Sequence, residues 1–301
     1  MNLPPVIHIG YHKTGTSYLQ KNVFENNANL FYRVPQSEIR DALILPSPLR
    51  YDPLVFKEIC TDGPPSKRLV ISNEYLSSNI HNGDFHSITI AGRLKMTLPS
   101  AKVIIGVREQ VSMIFSAYSQ YIKARGSLSI TEYLCSPLTK RFSFDHLQYH
   151  QLVAYYVELY GKENVLILPY EILKSNPKLY LKTVFDFIGE YNLINGVNFD
   201  IQKKVNPSMS PLTLQVKRFF NPFIMKSFPG LGKTFYFKPF SWLFSLIRKT
   251  LKVLPLGGLD RKVETRIYSK ILEKTSDKYE RSNAQLQNHT PFDLKALGYR
   301  L

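Results

Sequence analysis

The stretch HIGYHKTGTSYLQ (residues 8–20) passes from an apolar segment, through a loop of glycine, lysine and hydroxyl residues, into a helical pattern. An apolar run before such a loop predicts a buried strand. A helix N-terminus after the loop presents backbone N–H groups and the positive end of the helix dipole, which together suit a phosphate or sulfate. The stretch therefore predicts an anion site. An ordinary strand-to-helix turn with Thr16 or Ser17 as N-cap is the simpler alternative.

Three more apolar runs predict buried strands, and helical patterns lie between and after them. The predicted strands are 4–10, 67–76, 101–107 and 163–173, and the predicted helices are 16–25, 110–124, 146–160 and 177–190. Alternating strands and helices predict an α/β fold with a central, mostly parallel sheet flanked by helices. In such folds ligands bind at the carboxyl ends of the strands, where each motif described below falls.

We predict a single α/β domain over residues 1–301 with an unusual subregion. Residues 201–259 contain ten Lys or Arg and no Asp or Glu, and ten aromatic residues lie between Phe219 and Phe244. Repeated prolines predict short helices and loops in this basic aromatic subregion, packed on the sheet domain. Residues 260–301 are predicted to form a charged amphipathic helix, over 260–287, and a tail.

Bulk properties restrict the function classes. The net charge of +16 indicates an anionic partner: nucleic acid, acidic lipid or a phosphorylated small molecule. Cys60 and Cys135 are the only cysteines, and they lack ligand-like spacing. This pattern predicts a reducing compartment, no structural zinc and two buried thiols. No apolar run approaches the roughly 18 residues of a membrane helix and no secretory signal is evident, so the expected location is cytoplasmic.

The loop differs from the P-loop of nucleotide hydrolases, G-x-x-x-x-G-K-[ST]. Lys13 precedes Gly15 here, whereas the P-loop lysine follows its second glycine. The segment GLGKTF (230–235) contains Gly-Lys-Thr, but Ser227 stands where the first glycine should be and no predicted strand leads into it. We therefore interpret that segment as a chance match.

A second cation follows the predicted strand 101–107. Arg108 stands there, where a magnesium-dependent nucleotidase needs an acidic residue. Arginine presents a planar fork of donors that matches phosphate. Ser116 comes eight residues later, a little over two helical turns, so its hydroxyl is within reach of the same phosphate. Considered separately, an arginine at a strand end and a serine on a helix are both common on protein surfaces.

Together these motifs resemble sulfotransferases of the bacterial type that use 3′-phosphoadenosine 5′-phosphosulfate (PAPS). The K-[ST]-G-T-[ST] loop of that family, which holds the 5′-phosphosulfate, is matched by Lys13, Thr14, Gly15, Thr16 and Ser17. Its 3′-phosphate residues are matched by Arg108 and Ser116. Softer similarities are GKENVLILPYEIL (161–173), KKVNPSMSP (203–211), YERSNAQL (279–286) and the terminal LGY. The resemblance implies a P-loop-like three-layer fold and PAPS as donor, while residues 212–260 match no pattern of the family.

Sulfuryl transfer needs fixed geometry, a base for the acceptor proton and stabilisation of the departing phosphate, none of which requires a metal. We expect Lys13 to act on the leaving group and the N–H groups of residues 14–17 to cradle the 5′-phosphate. Glu74, just past a predicted strand, is the favoured base, since family members have a catalytic histidine or glutamate at a comparable strand end. His12 and Glu38 are the alternatives, and His12 is equally suited to bind the anion.

The expected acceptor is a hydroxyl of a carbohydrate or glycolipid. The basic aromatic subregion has three interpretations: contact with an anionic membrane surface at the inner face, a groove for an anionic sugar polymer, or a largely buried aromatic core. A P-loop-type kinase that uses ATP is the alternative enzyme. A nucleic-acid-binding protein is the alternative of another class, although no RNA-binding signature occurs and no nucleic acid is expected as partner. His146 and His150 have the spacing of a metal pair but no third ligand, so we interpret them as structural.

Overall fold

The computed structural model describes residues 3–78, 80, 86–135, 142–196, 209–224, 238–254 and 256–301. Their contacts group into two compact units. The first is drawn from Met1–Gln110, Phe142–Val205 and Asp277–Leu301, and the second from Val111–Arg141 and Asn206–Ser276. The single domain over 1–301 stays a prediction. GLGKTF and residues 203–208 of KKVNPSMSP lie outside the described residues.

The first unit contains a parallel sheet of five strands in the order β2-β3-β1-β4-β5. The strands are β1 (Val6–Gly10), β2 (Phe31–Arg33), β3 (Arg68–Asn73), β4 (Lys102–Val107) and β5 (Val165–Pro169). In the central strand, Val6 pairs with Val70 of β3 and with Lys102 of β4. All five residues of β1 are buried, as expected for a strand covered on both faces. The predicted α/β class with a parallel sheet is confirmed.

Thirteen α-helices occur within the described ranges. They are α1 (Thr16–Leu19), α2 (Gln36–Glu38), α3 (Pro53–Thr61), α4 (Ser87–Thr97), α5 (Gln110–Lys123), α6 (Ile130–Cys135), α7 (Tyr149–Tyr160), α8 (Tyr170–Ser175), α9 (Pro177–Ile188), α10 (Pro211–Ile224), α11 (Lys238–Val253), α12 (Gly257–Thr275) and α13 (Glu280–Gln287). Helix α1 continues as a π-helical segment, Gln20–Glu25, and α2 continues as another, Ile39–Ile44. The predicted helix 16–25 is thus a short α-helix followed by π-helical turns.

Other helix predictions differ from the structure in informative ways. The predicted helix 260–287 is two helices, α12 and α13, with a break at residues 276–279. The basic aromatic subregion contains helices of 14 and 16 residues, longer than the short helices expected. Pro222 lies inside α10 near its end, and the helix continues past it to Ile224. The other two prolines lie at helix starts, since Pro211 begins α10 and Pro239 is the second residue of α11. At those positions the missing N–H has no intrahelical partner to lose.

Buried aromatic and aliphatic side chains hold the sheet in place. Helices α1 and α9 share one hydrophobic cluster with strands β1 and β5, in which Leu19 and Phe185 are fully buried. This packing fixes the carboxyl end of β1, from which the Lys13 loop leaves. Cys60 is partly buried and burial raises the pKa of its thiol to about 12, but Cys135 is exposed. The prediction of two buried cysteines is therefore wrong for Cys135. No helix in the described part of the chain is long and apolar enough to cross a membrane.

Candidate active site

The loop after β1 is held in a conformation that few side chains adopt. Lys13 has φ 67° and Gly15 has φ 88°, both in the left-handed region. The Thr14 hydroxyl donates to the Tyr11 carbonyl at 2.6 Å, and the Thr14 N–H donates to the same oxygen at 3.3 Å. Gly15 is itself the N-cap of α1 and has no side chain to cap it. The alternative of a Thr16 or Ser17 N-cap is therefore wrong.

Two glycines bring the threonine hydroxyls of the loop close to the strand ends. A Cβ on Gly10 would lie 1.8 Å from Thr16 Oγ1, and one on Gly106 would lie 2.9 Å from Thr14 Oγ1. Thr16 Oγ1 is buried and has no hydrogen-bond partner among the described atoms. The N–H groups of the first helical turn, at Thr16 and Ser17, also have no intrahelical acceptor. The loop thus presents donors that an anion would satisfy.

Arg108 follows β4 and reaches the same loop. Its Nη1 donates to the Lys13 carbonyl at 3.3 Å, and its guanidinium carbon lies 4.9 Å from the centre of the Tyr170 ring. The Tyr149 hydroxyl donates to the Arg108 carbonyl at 2.7 Å. The structure therefore brings the Arg108 guanidinium to the loop that carries Lys13, at the carboxyl ends of the neighbouring strands β1 and β4.

A partly buried carboxylate supports the backbone beside Arg108, and the sequence alone assigned it no role. Glu171, the second residue of α8, accepts from the Glu109 N–H and from the Tyr299 hydroxyl, both at 3.1 Å. Burial is the largest influence on Glu171 and raises the pKa of its carboxyl, while these hydrogen bonds oppose the rise. The signal available in the sequence is the Tyr-Glu after the strand together with the terminal LGY, two similarities that are separate in sequence.

The C-terminal helix contacts the first residue of α5. Asn283, which is fully buried, donates to Gln110 Oε1 at 3.2 Å and accepts from Gln110 Nε2 at 2.6 Å. The Asn283 amide also donates to the carbonyl of Arg300 at 2.8 Å. The segment YERSNAQL, in which Asn283 lies, thus joins the chain end to the residues that follow Arg108.

His12 and Glu74 meet on the other side of the loop. His12 Nδ1 lies 3.5 Å from Glu74 Oε2; the histidine side chain is 8% exposed and the glutamate side chain 40%. The hydrogen bond from His12 is the main cause that lowers the pKa of Glu74, and the positive charge of Lys13 adds to it. His12 Nε2 is buried without a partner among the described atoms. The structure therefore joins two of the three candidate bases in one pair.

The remaining candidates lie elsewhere. Glu38 is exposed at the end of α2, where its charge helps burial to raise the pKa of Tyr32. Ser116 is a partly buried residue of α5 in the second unit, and its contact with a phosphate stays a prediction.

Neither predicted structural histidine lies in a metal-like cluster. The His146 ring lies 4.9 Å from the Tyr11 ring, and His150 Nδ1 bonds the Ser282 hydroxyl at 2.7 Å. In the part of the chain that the structure describes, no group of three or more His, Cys, Asp or Glu is placed to hold a metal ion.

A cavity of about 300 Å³ begins beside Glu74, because the next residue, Tyr75, lines it. The Tyr75 ring also packs edge-on against His12, with ring centres 5.1 Å apart. Apolar side chains dominate the lining, which consists of Ile44, Leu45, Pro46, Ser47, Pro48, Tyr75, Ser78, His86, Thr89, Ile90 and Arg93. The Arg93 guanidinium donates to the carbonyls of Leu43 and Pro46 at 2.6 and 2.7 Å. It thus serves mainly to fix the cavity wall.

Comparison with known proteins identifies one family model and two similar solved structures. The family model of the sulfotransferase domain matches residues 3–220. A solved sulfotransferase from Alicyclobacillus acidocaldarius is similar at 19% identity and TM-score 0.49, over 73% of this chain and 92% of that one. The mouse sulfotransferase SULT7A1, solved in complex with PAP, is similar at 18% identity and TM-score 0.39, over 69% of each chain. The search of curated proteins gave no match.

The family match covers well over half of the chain, from before β1 to within α10. It includes the Lys13 loop, Glu74 and the Arg108 strand end. The prediction of an enzyme is thereby confirmed, and the chain belongs to the sulfotransferase family, whose members transfer a sulfuryl group from PAPS.

Proposed function

We propose that this protein transfers the sulfuryl group of PAPS to a hydroxyl of a carbohydrate or glycolipid, without a metal ion. The observation that supports the proposal is the hydrogen bond from Arg108 to the Lys13 carbonyl, which brings a second cationic residue to the loop that carries Lys13. PAPS, when bound, supplies an activated sulfuryl group on a phosphosulfate and a separate 3′-phosphate. Two cations held at neighbouring strand ends suit such a doubly anionic donor.

The loop residues have distinct roles in this proposal. Lys13, which is exposed, sets its ammonium against the departing phosphate and so stabilises the negative charge that develops there. Within residues 14–17, the N–H groups of Thr16 and Ser17 supply backbone donors to the 5′-phosphate, while the Thr14 N–H donates to the Tyr11 carbonyl. The buried Thr16 hydroxyl gains a partner that it lacks within the described chain. Arg108 and Ser116 hold the 3′-phosphate. This last pair would favour PAPS over ATP, which has no 3′-phosphate.

Glu74 is the proposed general base, and His12 is its positioning partner. Because the pKa of Glu74 is lowered, its carboxylate is ionised at neutral pH and able to accept the acceptor proton. His12 Nδ1 holds that carboxylate from the protein side, leaving the exposed part of Glu74 for the acceptor. His12 itself is the alternative base, since its Nε2 is unpartnered within the described residues and Glu74 would then orient the imidazole.

The cavity beside Tyr75 is the proposed entry for the acceptor. Its lining is largely apolar, with a few hydroxyl and imidazole groups, which suits the less polar face of a sugar or the lipid-proximal part of a glycolipid. A peripheral contact with an anionic membrane face is part of the same proposal, because it would bring the site to a lipid-linked acceptor.

A metal-free thermal-shift titration tests the donor assignment. PAP, the desulfated donor, at a concentration of about 100 Kd should raise the Tm by about 4 °C for a chain of this length, and ADP and ATP should raise it less. Arg108→Ala should weaken PAP at least about tenfold, since it removes charged hydrogen bonds. Arg40→Ala is the matched control, because Arg40 is an exposed arginine paired with Asp41. A larger shift with ATP and magnesium than with PAP would contradict the proposal and favour a kinase.

A further inference from the structure

Helices α10 and α11 of the second unit expose large apolar side chains in pairs. Phe219 and Phe223 of α10 are 66% and 43% exposed, and Trp242 and Leu246 of α11 are 69% and 48% exposed. Each pair is separated by four residues, so its members lie on one face of their helix. The rings of Phe219 and Phe223 are 6.1 Å apart. Four such side chains on two neighbouring helices are more than the scattered apolar residues of an ordinary surface.

Contact between the two helices does not cover these side chains. The helices meet through Phe220 and Phe244, whose ring centres are 6.0 Å apart. Lys217 Nζ lies 5.5 Å from the centre of the Phe244 ring, within the range of a cation–π contact. Phe220 is buried by this packing. The exposed pairs therefore lie outside the helix–helix contact.

The stretch of sequence that contains these helices is basic and has no acidic residue. Residues 201–259 contain ten Lys or Arg and no Asp or Glu. Burial lowers the pKa of Lys217, and the neighbouring cations Arg125 and Arg248 lower it further. Lys217 thus lies close enough to both arginines to be repelled by them, and an anionic ligand would relieve this repulsion.

We propose that α10 and α11 form a membrane-contact surface that binds anionic lipid headgroups and inserts Phe219, Phe223, Trp242 and Leu246 into the bilayer interface. The inference deepens the membrane contact in the proposed function and rests on that part of it. Aromatic side chains suit the interfacial region, and clustered Lys and Arg are attracted to anionic lipids. An anionic sugar polymer would neutralise the cations but leave the apolar pairs in water. A second copy would cover the apolar pairs but bring together two chains of charge +16.

Trp242 is the only tryptophan of the chain, so its fluorescence reports on this surface directly. The 301-residue protein is titrated with phosphatidylcholine vesicles, with and without phosphatidylserine, and binding is measured by co-sedimentation. With phosphatidylserine we expect binding, a blue shift of the emission and quenching by lipids brominated on the acyl chain. Binding without a blue shift, or equal binding to both vesicle types, would overturn the proposal. So would a blue shift that appears on raising the protein concentration alone, which would indicate self-association.

Variants separate the two parts of the surface. The double change Phe219→Ser and Phe223→Ser should weaken vesicle binding at least about tenfold, since it removes two inserting rings. Arg248→Gln should weaken it about fivefold on anionic vesicles only. Leu49→Ser is the matched control, because Leu49 is 95% exposed in the first unit, and it should bind as the wild type does. An equal loss in the control would overturn the assignment to α10 and α11.

The PAP titration on the same samples distinguishes the two proposals. A Phe219→Ser, Phe223→Ser protein that keeps the PAP-induced rise in Tm is folded, so its loss of vesicle binding would belong to the surface. If the wild-type protein binds vesicles but its Tm does not rise with PAP, the donor assignment is contradicted and the proposed membrane surface is supported.

Discussion

The buried His8, at the centre of β1, should make the stability of the first unit depend on pH. The side chain is 1% exposed and its Nδ1 lies 2.9 Å from the Ser72 hydroxyl on β3. Burial lowers the pKa of His8 from its ordinary value of 6.5 to about 4. Between these two pKa values, His8 is therefore protonated in the unfolded chain but neutral in the folded chain. The stability associated with this group is complete above about pH 6.5 and is lost as the pH falls toward 4.

The size of the effect follows from the shift. Each pH unit below the ordinary pKa of His8 costs the folded state about 1.4 kcal/mol until its lowered pKa is reached. Because about pH 5 lies roughly 1.5 pH units below that ordinary value, the free energy of unfolding falls by about 2 kcal/mol relative to about pH 7.5. Urea unfolding of the wild type and of His8→Asn at both pH values measures it. Because asparagine does not titrate, the variant should lose about 2 kcal/mol less than the wild type between the two pH values, whatever the substitution costs in packing.

Ser72→Ala supplies the control for this measurement. It removes the hydroxyl partner but keeps His8 buried, so it should retain the wild-type dependence on pH. A His8→Asn protein with the same loss of stability between pH 7.5 and 5 as the wild type would refute the reasoning. Other buried groups would then account for the acid sensitivity.

Three further predictions concern the loop and its base. Gly15→Ala should lower the free energy of unfolding by about 2 kcal/mol in urea titrations, because φ is 88° and the new Cβ would lie 2.7 Å from Leu173 Cδ2. Lys13→Ala should abolish turnover in a radiolabelled-sulfate assay yet leave the Tm without ligand within about 1 °C, since the side chain is exposed. His12→Gln should raise the pKa of Glu74 and shift the acidic limb of the kcat/KM profile to higher pH, because the hydrogen bond from His12 is the main cause of the lowered value. An unmoved limb would point to a base other than Glu74.

The elements that sequence predicted well are those with a strong local pattern. The residue pattern of the loop around Lys13 predicts a strand before the loop and a helix after it. Both occur in the structure, as β1 and α1. Strand β2 (Phe31–Arg33) was missed because three residues are too few to show a period of two. Likewise, no hydrophobic period distinguishes the π-helical continuation at Gln20–Glu25 from an α-helix over the same residues.

Contacts between residues that are far apart in sequence could not be predicted from local patterns. His12 and Glu74 were separate candidates for one role, and only the parallel pairing of β1 with β3 brings them together. Tyr299 and Glu171 lie 128 residues apart, and neither position has a spacing that predicts the other. A partly buried carboxylate of this kind is recognised in sequence only when its partners are already known.

Hydrogen bonds hold both the backbone and the guanidinium of Arg108 in place. Its backbone carbonyl accepts from Tyr149, and the next residue, Glu109, donates to Glu171. The guanidinium is in turn directed by the Lys13 carbonyl and faces the Tyr170 ring. An arginine ordered in this way loses little conformational entropy when an anion binds, because most of that loss has already occurred on folding. The tail residue Tyr299, which donates to Glu171, is therefore connected to the proposed anion site through the backbone after β4, although its sequence position does not indicate this.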